Sequence, residues 1–364
     1  MNDDDAVRRP DDARAWDDFC ERLKAAGHRA LDAAPDDALD RAEGLRYVSR
    51  LARSFLRNAT ETTQPARLAL GHAESPKIGL DNPDYIYCGA SLDPSATYRL
   101  RGELGDAHLL GIGSFSGALG TPEGLQRDGY LESGALTLDA DGGFEITISQ
   151  TEQPGDWLPM GARTNALNVR QTLLRRAEQR QAPLELERLG EAQAPPPLDP
   201  ARFSQALDRT GRVLEGTVAQ FLGWTASFQA HRHEIRPLDP KLLSVAQGDP
   251  NTSYHYSYWE LAEDEAFVID LDPPECEYWN LQIGNHWLES LDFMSFQTHL
   301  NHETAVADAN GHVRIVVARR DPATANWLDT AGHARGALAL RWVGAREIPE
   351  PRTQVVPISS LATS

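Results

Sequence analysis

Near the start of the chain Trp16, Phe19, Cys20 and Leu23 recur at helical spacing, and beyond Pro35 the set Leu45, Val48, Leu51, Ala52 and Phe55 does so again. Two amphipathic helices therefore open the protein. From about Asn82 the period shortens. The runs "TYRLRGELGDAHLLGIGSF" and "GALTLDADGGFEITISQ" are broken by Leu-Gly-Asp and Asp-Ala-Asp-Gly-Gly, and Phe144, Ile146 and Ile148 alternate with Glu145 and Thr147. This is the pattern of a half-buried antiparallel sheet joined by tight turns. At "APPPLDPARF" the pattern breaks, with Asp199 placed to cap a helix and Pro200 suited to its first turn. Phe203, Leu207, Leu214, Val218, Phe221 and Leu222 carry that helix to about Gln229. Beyond Asn251 the strand signals return in "DEAFVIDLD", "EYWNLQIGN", "HVRIVVARR" and "GALALRWVG", separated by Pro or Gly turns.

The elements add up to a mainly β protein with helical additions. Two antiparallel β-sandwich or jelly-roll-like modules are expected, with an N-terminal helical pair and a long connecting helix. The expected boundaries are 1–65 for the helical segment, 66–195 for the first β module, 196–250 for the connection and 251–364 for the second β module. A chain of 364 residues exceeds what one hydrophobic core usually serves, which agrees with two modules. No repeat is visible at a fixed period. The two β regions have similar lengths, as two related sandwiches would.

Composition narrows the class without naming a reaction. At 41% hydrophobic and 24% charged residues the chain is an ordinary globular one. It has no apolar run near the roughly 20 residues a membrane helix needs. Its start, "MNDDDAVRRPDDARAWDDF", lacks the apolar stretch of a signal peptide, so a cytoplasmic location is expected. Cys20, Cys88 and Cys276 stand singly, which suggests neither a disulfide framework nor a CxxC metal site. A net charge of -19 argues against nucleic acid and anionic membranes as partners.

Three strings, "NPDYIYCGASLDPSATYRLRGELG", "QGDPNTSYHYSYWELAEDEAFVIDLDPPECEYWNLQIGNHWLESLDF" and "RRDPATANWLDTAGHARGALALRWV", together resemble the bacterial proteins that carry domain of unknown function 1214. The resemblance runs from about Asn82 to Ile358. It implies a β-rich, jelly-roll-like C-terminal module and no particular activity or catalytic residue. Where a His-Arg-Asp-Pro stretch is common in the family, this chain reads Arg319-Arg320-Asp321-Pro322.

Candidate chemistry concentrates in "YWNLQIGNHWLESLDF". As a strand, its first half puts Trp279, Leu281 and Ile283 on one face and Tyr278, Asn280 and Gln282 on the other. The second set is either solvated or the polar lining of a cleft. After the Gly284-Asn285 break, His286 meets Ser290 and Asp292 on a strand face, or Glu289 and Ser290 in a helical turn. A histidine beside a carboxylate can act as general acid or base, and can equally be a core residue bonded to backbone. In "ANWLDTAGH", expected to be a loop, Asn326, Asp329 and His333 offer acceptor, base and donor beside Trp327, unless Asp329 only caps a turn. His231 and His233 with His255 resemble a cupin metal element, set against a plain exposed loop after the helix. In "SYHYSYWE", Tyr254, Tyr256 and Tyr258 share one face while His255, Ser257 and Trp259 share the other, an aromatic ladder usual in sheet packing. Arg99 and Arg101 either bind an anion or line a solvated strand face. GxGxxG after a strand, GxxxxGK[ST], HExxH and GxSxG are all missing, which disfavours the chemistries they serve.

The leading expectation is a cofactor-independent acid/base enzyme of hydrolase or lyase type, acting on a sugar-like or ring-containing small molecule at the C-terminal β module. His286, Glu289, Asp292, Asp329 and His333 would carry the chemistry. Trp259, Tyr278, Asn280, Trp287, Asn326 and Trp327 would hold the substrate, with Trp279 a further stacking surface. The alternatives are a non-catalytic small-ligand-binding or assembly protein, and a cupin-like metal enzyme. No cofactor is expected, and a homo-oligomer is compatible with everything above.

Overall fold

The computed structural model describes residues 11–61, 71–72, 77–190, 197–246 and 248–363. Two helices, α1 (Asp11–Ala33) and α2 (Ala38–Glu61), come first. The first β module then contributes β1 (Gly71–His72), β2 (Tyr85–Ser91), β3 (Tyr98–Glu103), β4 (Leu109–Gly117), β5 (Leu125–Glu132), β6 (Gly143–Ser149), β7 (Asp156–Pro159), β8 (Thr164–Thr172) and β9 (Leu184–Arg188). Helix α3 (Pro200–Gln229) follows, and α4 (Pro240–Ala246) lies between the first two strands of the second module. That module comprises β10 (Arg236–Pro237), β11 (Thr252–Glu260), β12 (Glu265–Leu271), β13 (Tyr278–Ile283), β14 (His299–Asn301), β15 (Val313–Ala318), β16 (Trp327–Asp329), β17 (Arg335–Val343) and β18 (Arg352–Pro357). As expected, Asp199 caps α3, accepting from the Ala201 and Arg202 N–H groups at 2.9 and 3.2 Å, with Pro200 opening the first turn.

Each module is a sandwich of one five-stranded and one four-stranded sheet. The orders are β1-β2-β8-β4-β5 over β7-β6-β3-β9, and β10-β11-β17-β13-β14 over β16-β15-β12-β18. Every strand of the second module stands where the strand nine places earlier stands in the first. Even the departure from antiparallel pairing recurs, since β6 with β7 and β15 with β16 are both parallel. The two sandwiches thus share one topology, although the sequence carries no fixed-period repeat.

Alternation sorts the side chains as the period-two pattern demands. Ile86, Cys88, Leu110, Ile112, Ile146, Ile148 and Val169 fill the first core. Trp259, Phe267, Ile269, Trp279, Leu281, Ile283, Leu338, Leu340 and Trp342 fill the second. Outside it, Phe221, Trp224 and Phe228 of α3 cover Tyr256 and Tyr258 on the other face of β11, with the Phe228 and Tyr256 rings stacked at 4.8 Å. The helical pair packs through Ala26, Ala30, Tyr47, Val48 and Leu51 onto α3 and Trp287. Trp16 and Leu45, which shared the helical pattern, stay exposed. No helix among the described residues is long and apolar enough to cross a membrane.

Candidate functional site

The second half of "YWNLQIGNHWLESLDF" is neither strand nor helix. Residues 285–289 form a tight turn closed by the bridge between Gly284 and Ser290. The Asn285 Oδ1 accepts from the Trp287 and Glu289 N–H groups, both at 3.0 Å, and Leu288 takes a left-handed φ of 57°. The turn is pinned from outside. Lys77 donates to the Ser290 carbonyl at 2.6 Å, and Asp81 accepts from both the Ser290 N–H and its hydroxyl.

That geometry separates the residues expected to act together. His286 is buried and shares a 2.8 Å hydrogen bond with the Tyr258 hydroxyl rather than meeting Glu289 or Asp292. Burial pushes its pKa down to about 4, so the ring is neutral. Glu289 instead pairs with Arg50 of α2 at 2.7 Å and accepts from Asn285, and burial raises its pKa despite that arginine. Asp292 is exposed and caps the next turn through the Met294 N–H. Asp329 accepts from the Ala331 N–H at 2.8 Å, the turn-capping alternative, and "ANWLDTAGH" contains strand β16 rather than a continuous loop. Asn326 staples the Val306 and Arg314 backbone, and Trp327 bonds the Ala318 carbonyl.

His333 and Glu289 do converge, through residues of α2 that the sequence did not mark. The His333 Nε2 meets the Glu43 carboxylate at 2.8 Å, and that carboxylate also accepts from Asn285. Next to them lies Asp40, a buried carboxyl with no side-chain hydrogen bond among the described residues. Burial, then Asp37, raises its pKa to about 6 against the pull of Arg335 and His333. Burial would raise Glu43 and lower His333, but their mutual bond outweighs it, so Glu43 is lowered and His333 raised. Glu43 contributes stability above the ordinary glutamate value of 4.5, lost as pH falls through its lowered folded pKa. The contribution of His333 is full below its ordinary 6.5 and is lost as pH rises through its raised folded pKa. Melting curves of Glu43→Gln against the natural chain will therefore differ most between those two values, and less on either side. A difference independent of pH would contradict the pairing.

A second polar cluster lies between the sandwiches. Tyr278, Asn280 and Gln282 project from the core's opposite face, as alternation requires, but are sealed rather than solvated. The Tyr278 hydroxyl donates to Asp84 at 2.6 Å, Asn280 to the Asn82 Oδ1 at 2.9 Å and Gln282 to the Asp81 carbonyl at 2.9 Å. Across from Asn280 on β17 stands Arg341, almost fully buried. It donates to the Gln282 Oε1 at 2.7 Å, the Asn280 Oδ1 at 3.4 Å and the Leu80 carbonyl. The first module presents Arg170 on β8, flanked by Tyr87 of β2 and Gly111 of β4. Arg170 is half-buried and makes no hydrogen bond through its guanidinium among the described residues. Tyr85, Tyr87 and Tyr254 lie within electrostatic reach of both guanidiniums, and Asp249 within reach of Arg170. Asp249 in turn receives the Tyr130 hydroxyl and the Asn251 N–H.

Other candidates resolve into structure. The indole N–H groups of Trp259 and Trp287 donate to the Ala337 and Asp40 carbonyls at 3.1 and 2.9 Å. Arg99 and Arg101 pair with Glu145 on the outer face of β3 and β6. His231 is exposed, His233 bonds the Glu260 backbone, and His255 is buried on β11. No group of three histidine, cysteine or acidic side chains that could hold a metal occurs among the described residues. Sequence reading missed Arg170 and Arg341. The one available signal was a lone cation within an otherwise apolar strand, "GALALRWV".

Fold and junction together define a class: a β protein of two topologically identical sandwiches, clamped by helices, with an arginine–tyrosine cluster where the sandwiches meet. This chain belongs to the family described as protein of unknown function (DUF1214), whose sequence profile matches residues 260–347. A crystal structure of an uncharacterised protein from Burkholderia cenocepacia is 42% identical over 95% of this chain and 97% of that one, with a TM-score of 0.90. The VPA0106 protein from Vibrio parahaemolyticus, at 13% identity over 93% of this chain and 99% of that one, has a TM-score of 0.50 and shares the fold alone. No curated protein matches the chain.

Proposed function

We propose that this chain binds a small polar molecule at the junction of its two sandwiches. One observation carries the reading: the Arg170 guanidinium, half-buried and within electrostatic reach of Tyr85, Tyr87 and Tyr254, has no hydrogen-bond partner among the described residues. Leaving such a group unpaired is costly, so a site of this kind is more stable with its ligand than without it. The acid/base residues of the 285–333 region support the enzyme reading less well, because His286, Glu289 and His333 are buried and already bonded to protein groups. A catalytic group needs reach to a substrate atom.

Asp40 favours a second reading, proton transfer on a small molecule by an enzyme of hydrolase or lyase type. It is a carboxyl with its pKa raised to about 6, without a side-chain hydrogen bond among the described residues and set beside the His333–Glu43 pair. Crystals soaked in a library of small polar fragments separate the two. Occupancy against Arg170 supports binding at the junction, and occupancy against Asp40 and His333 supports the enzyme.

A further inference from the structure

We infer that the ligand at the junction carries a carboxylate, bound by Arg170 much as two side-chain amides bind Arg341; this rests on the binding reading above. The shared topology makes the comparison residue by residue. Arg170 and Arg341 are each the seventh residue of a nine-residue strand, β8 and β17. Their cross-strand neighbours on one side, Tyr87 and Tyr254, are each the third residue of β2 and β11. On the other side, the third and fifth residues of β13 are Asn280 and Gln282, whose amide oxygens accept from Arg341. The third and fifth residues of β4 are Gly111 and Gly113. The first module has therefore lost both acceptors that satisfy its arginine.

Nothing else among the described residues replaces them. A Cβ at Gly111 would come within 2.6 Å of the Tyr130 hydroxyl, which is committed to Asp249, and one at Gly113 would meet the Phe115 ring at 2.6 Å. Apart from Asp249, whose carboxylate oxygens are taken up by the Tyr130 hydroxyl and the Asn251 N–H, the groups around Arg170 are donors. Tyr87 and Tyr254 each accept from a backbone N–H, of Asn82 at 3.0 Å and of Asp249 at 2.8 Å, leaving their O–H groups to donate. The Tyr85 hydroxyl makes no hydrogen bond among the described residues. A guanidinium and three phenols ask for a group that only accepts, as an ionised carboxylate does.

The test is calorimetric melting of the full chain with sodium formate, acetate or benzoate. Formamide, acetamide and benzamide serve as neutral counterparts, with inorganic phosphate and ionic strength matched by chloride. At least one carboxylate should raise the melting temperature by a few degrees while its amide does not. Arg170→Met should weaken that carboxylate by about 10- to 100-fold, the worth of a charge-assisted hydrogen bond. If Arg170→Met does not fold, Arg170→Lys, with weakened but surviving discrimination of acid from amide, takes its place. An amide matching its acid, or a carboxylate response that survives Arg170→Met, overturns the carboxylate and leaves binding at the junction standing. Phosphate acting alone overturns it in favour of a dianion. Silence from every probe also overturns it, and the soaked crystals then decide the binding reading separately.

Discussion

Arg341→Ala will lower the free energy of unfolding by about 3–5 kcal/mol, the combined cost of stranding its buried acceptors at about 1–3 kcal/mol each. Arg341 is 4% exposed and is a shared donor to the Gln282 and Asn280 amides and the Leu80 carbonyl. Removing it strands these acceptors in a region where Tyr256, Tyr278 and Leu80 exclude water, and each buried unsatisfied group costs about 1–3 kcal/mol. It also removes one of the bonds that tie the segment before β2 to the second sandwich. Arg341→Met, which restores most of the volume, should recover little, because packing is the smaller part of the loss. Urea denaturation of both variants measures this. A loss below about 1 kcal/mol, or full recovery with methionine, would mean the arginine only fills space.

Trp287→Ala will cost a comparable about 3–5 kcal/mol, as large-to-small changes of buried aromatics do. Its indole lies at the centre of the contact between the 285–289 turn and α2, with rings stacked on Tyr47 at 6.3 Å and the indole N–H donating to the Asp40 carbonyl. Gly44 makes the approach feasible, since a Cβ there would come within 2.5 Å of the indole. Without Trp287 the helical pair loses its main apolar anchor on the turn, so limited proteolysis should begin in α1 and α2 ahead of either sandwich. Cleavage that instead starts in the sandwiches, at unchanged stability, would contradict that role.

These effects show what the sequence could and could not convey. The strands carrying Trp279 and Phe267 were legible because alternation is local, and the Asp199–Pro200 start of α3 was legible because capping is local. The two faces of β13 were also legible, down to which residues turn away from the core, whereas the tyrosine ladder of β11 packs on α3 outside the sandwich rather than between its sheets. What covers the outer face of β13 was not legible, because the covering groups come from Leu80, Asp81, Asn82 and Asp84, about two hundred positions earlier. The Glu43–His333 contact spans 290 positions, and no periodicity in "RAEGLRYVSR" marks that glutamate. Arg170 was hidden for a different reason. In "NALNVRQT" it reads as an ordinary outward residue, and its meaning depends on a glycine four strands earlier in the sequence, in β4. The duplication showed only in the similar lengths of the two β regions, since equivalence resides in strand order and register while Gly111 and Gly113 stand where the second module has Asn280 and Gln282. His286 illustrates the opposite error. Its acid/base look came from neighbours in sequence, and the turn at Asn285 points those neighbours elsewhere.

The fragment-soaked crystals test the central claim most directly. Difference density for bound fragments is predicted between β2, β8 and β11, with an acceptor atom at hydrogen-bond distance from the Arg170 guanidinium and the Tyr85, Tyr87 or Tyr254 hydroxyls. Fragments that leave Arg170 unvisited and gather instead around Asp40, His333 and Glu43 would contradict it.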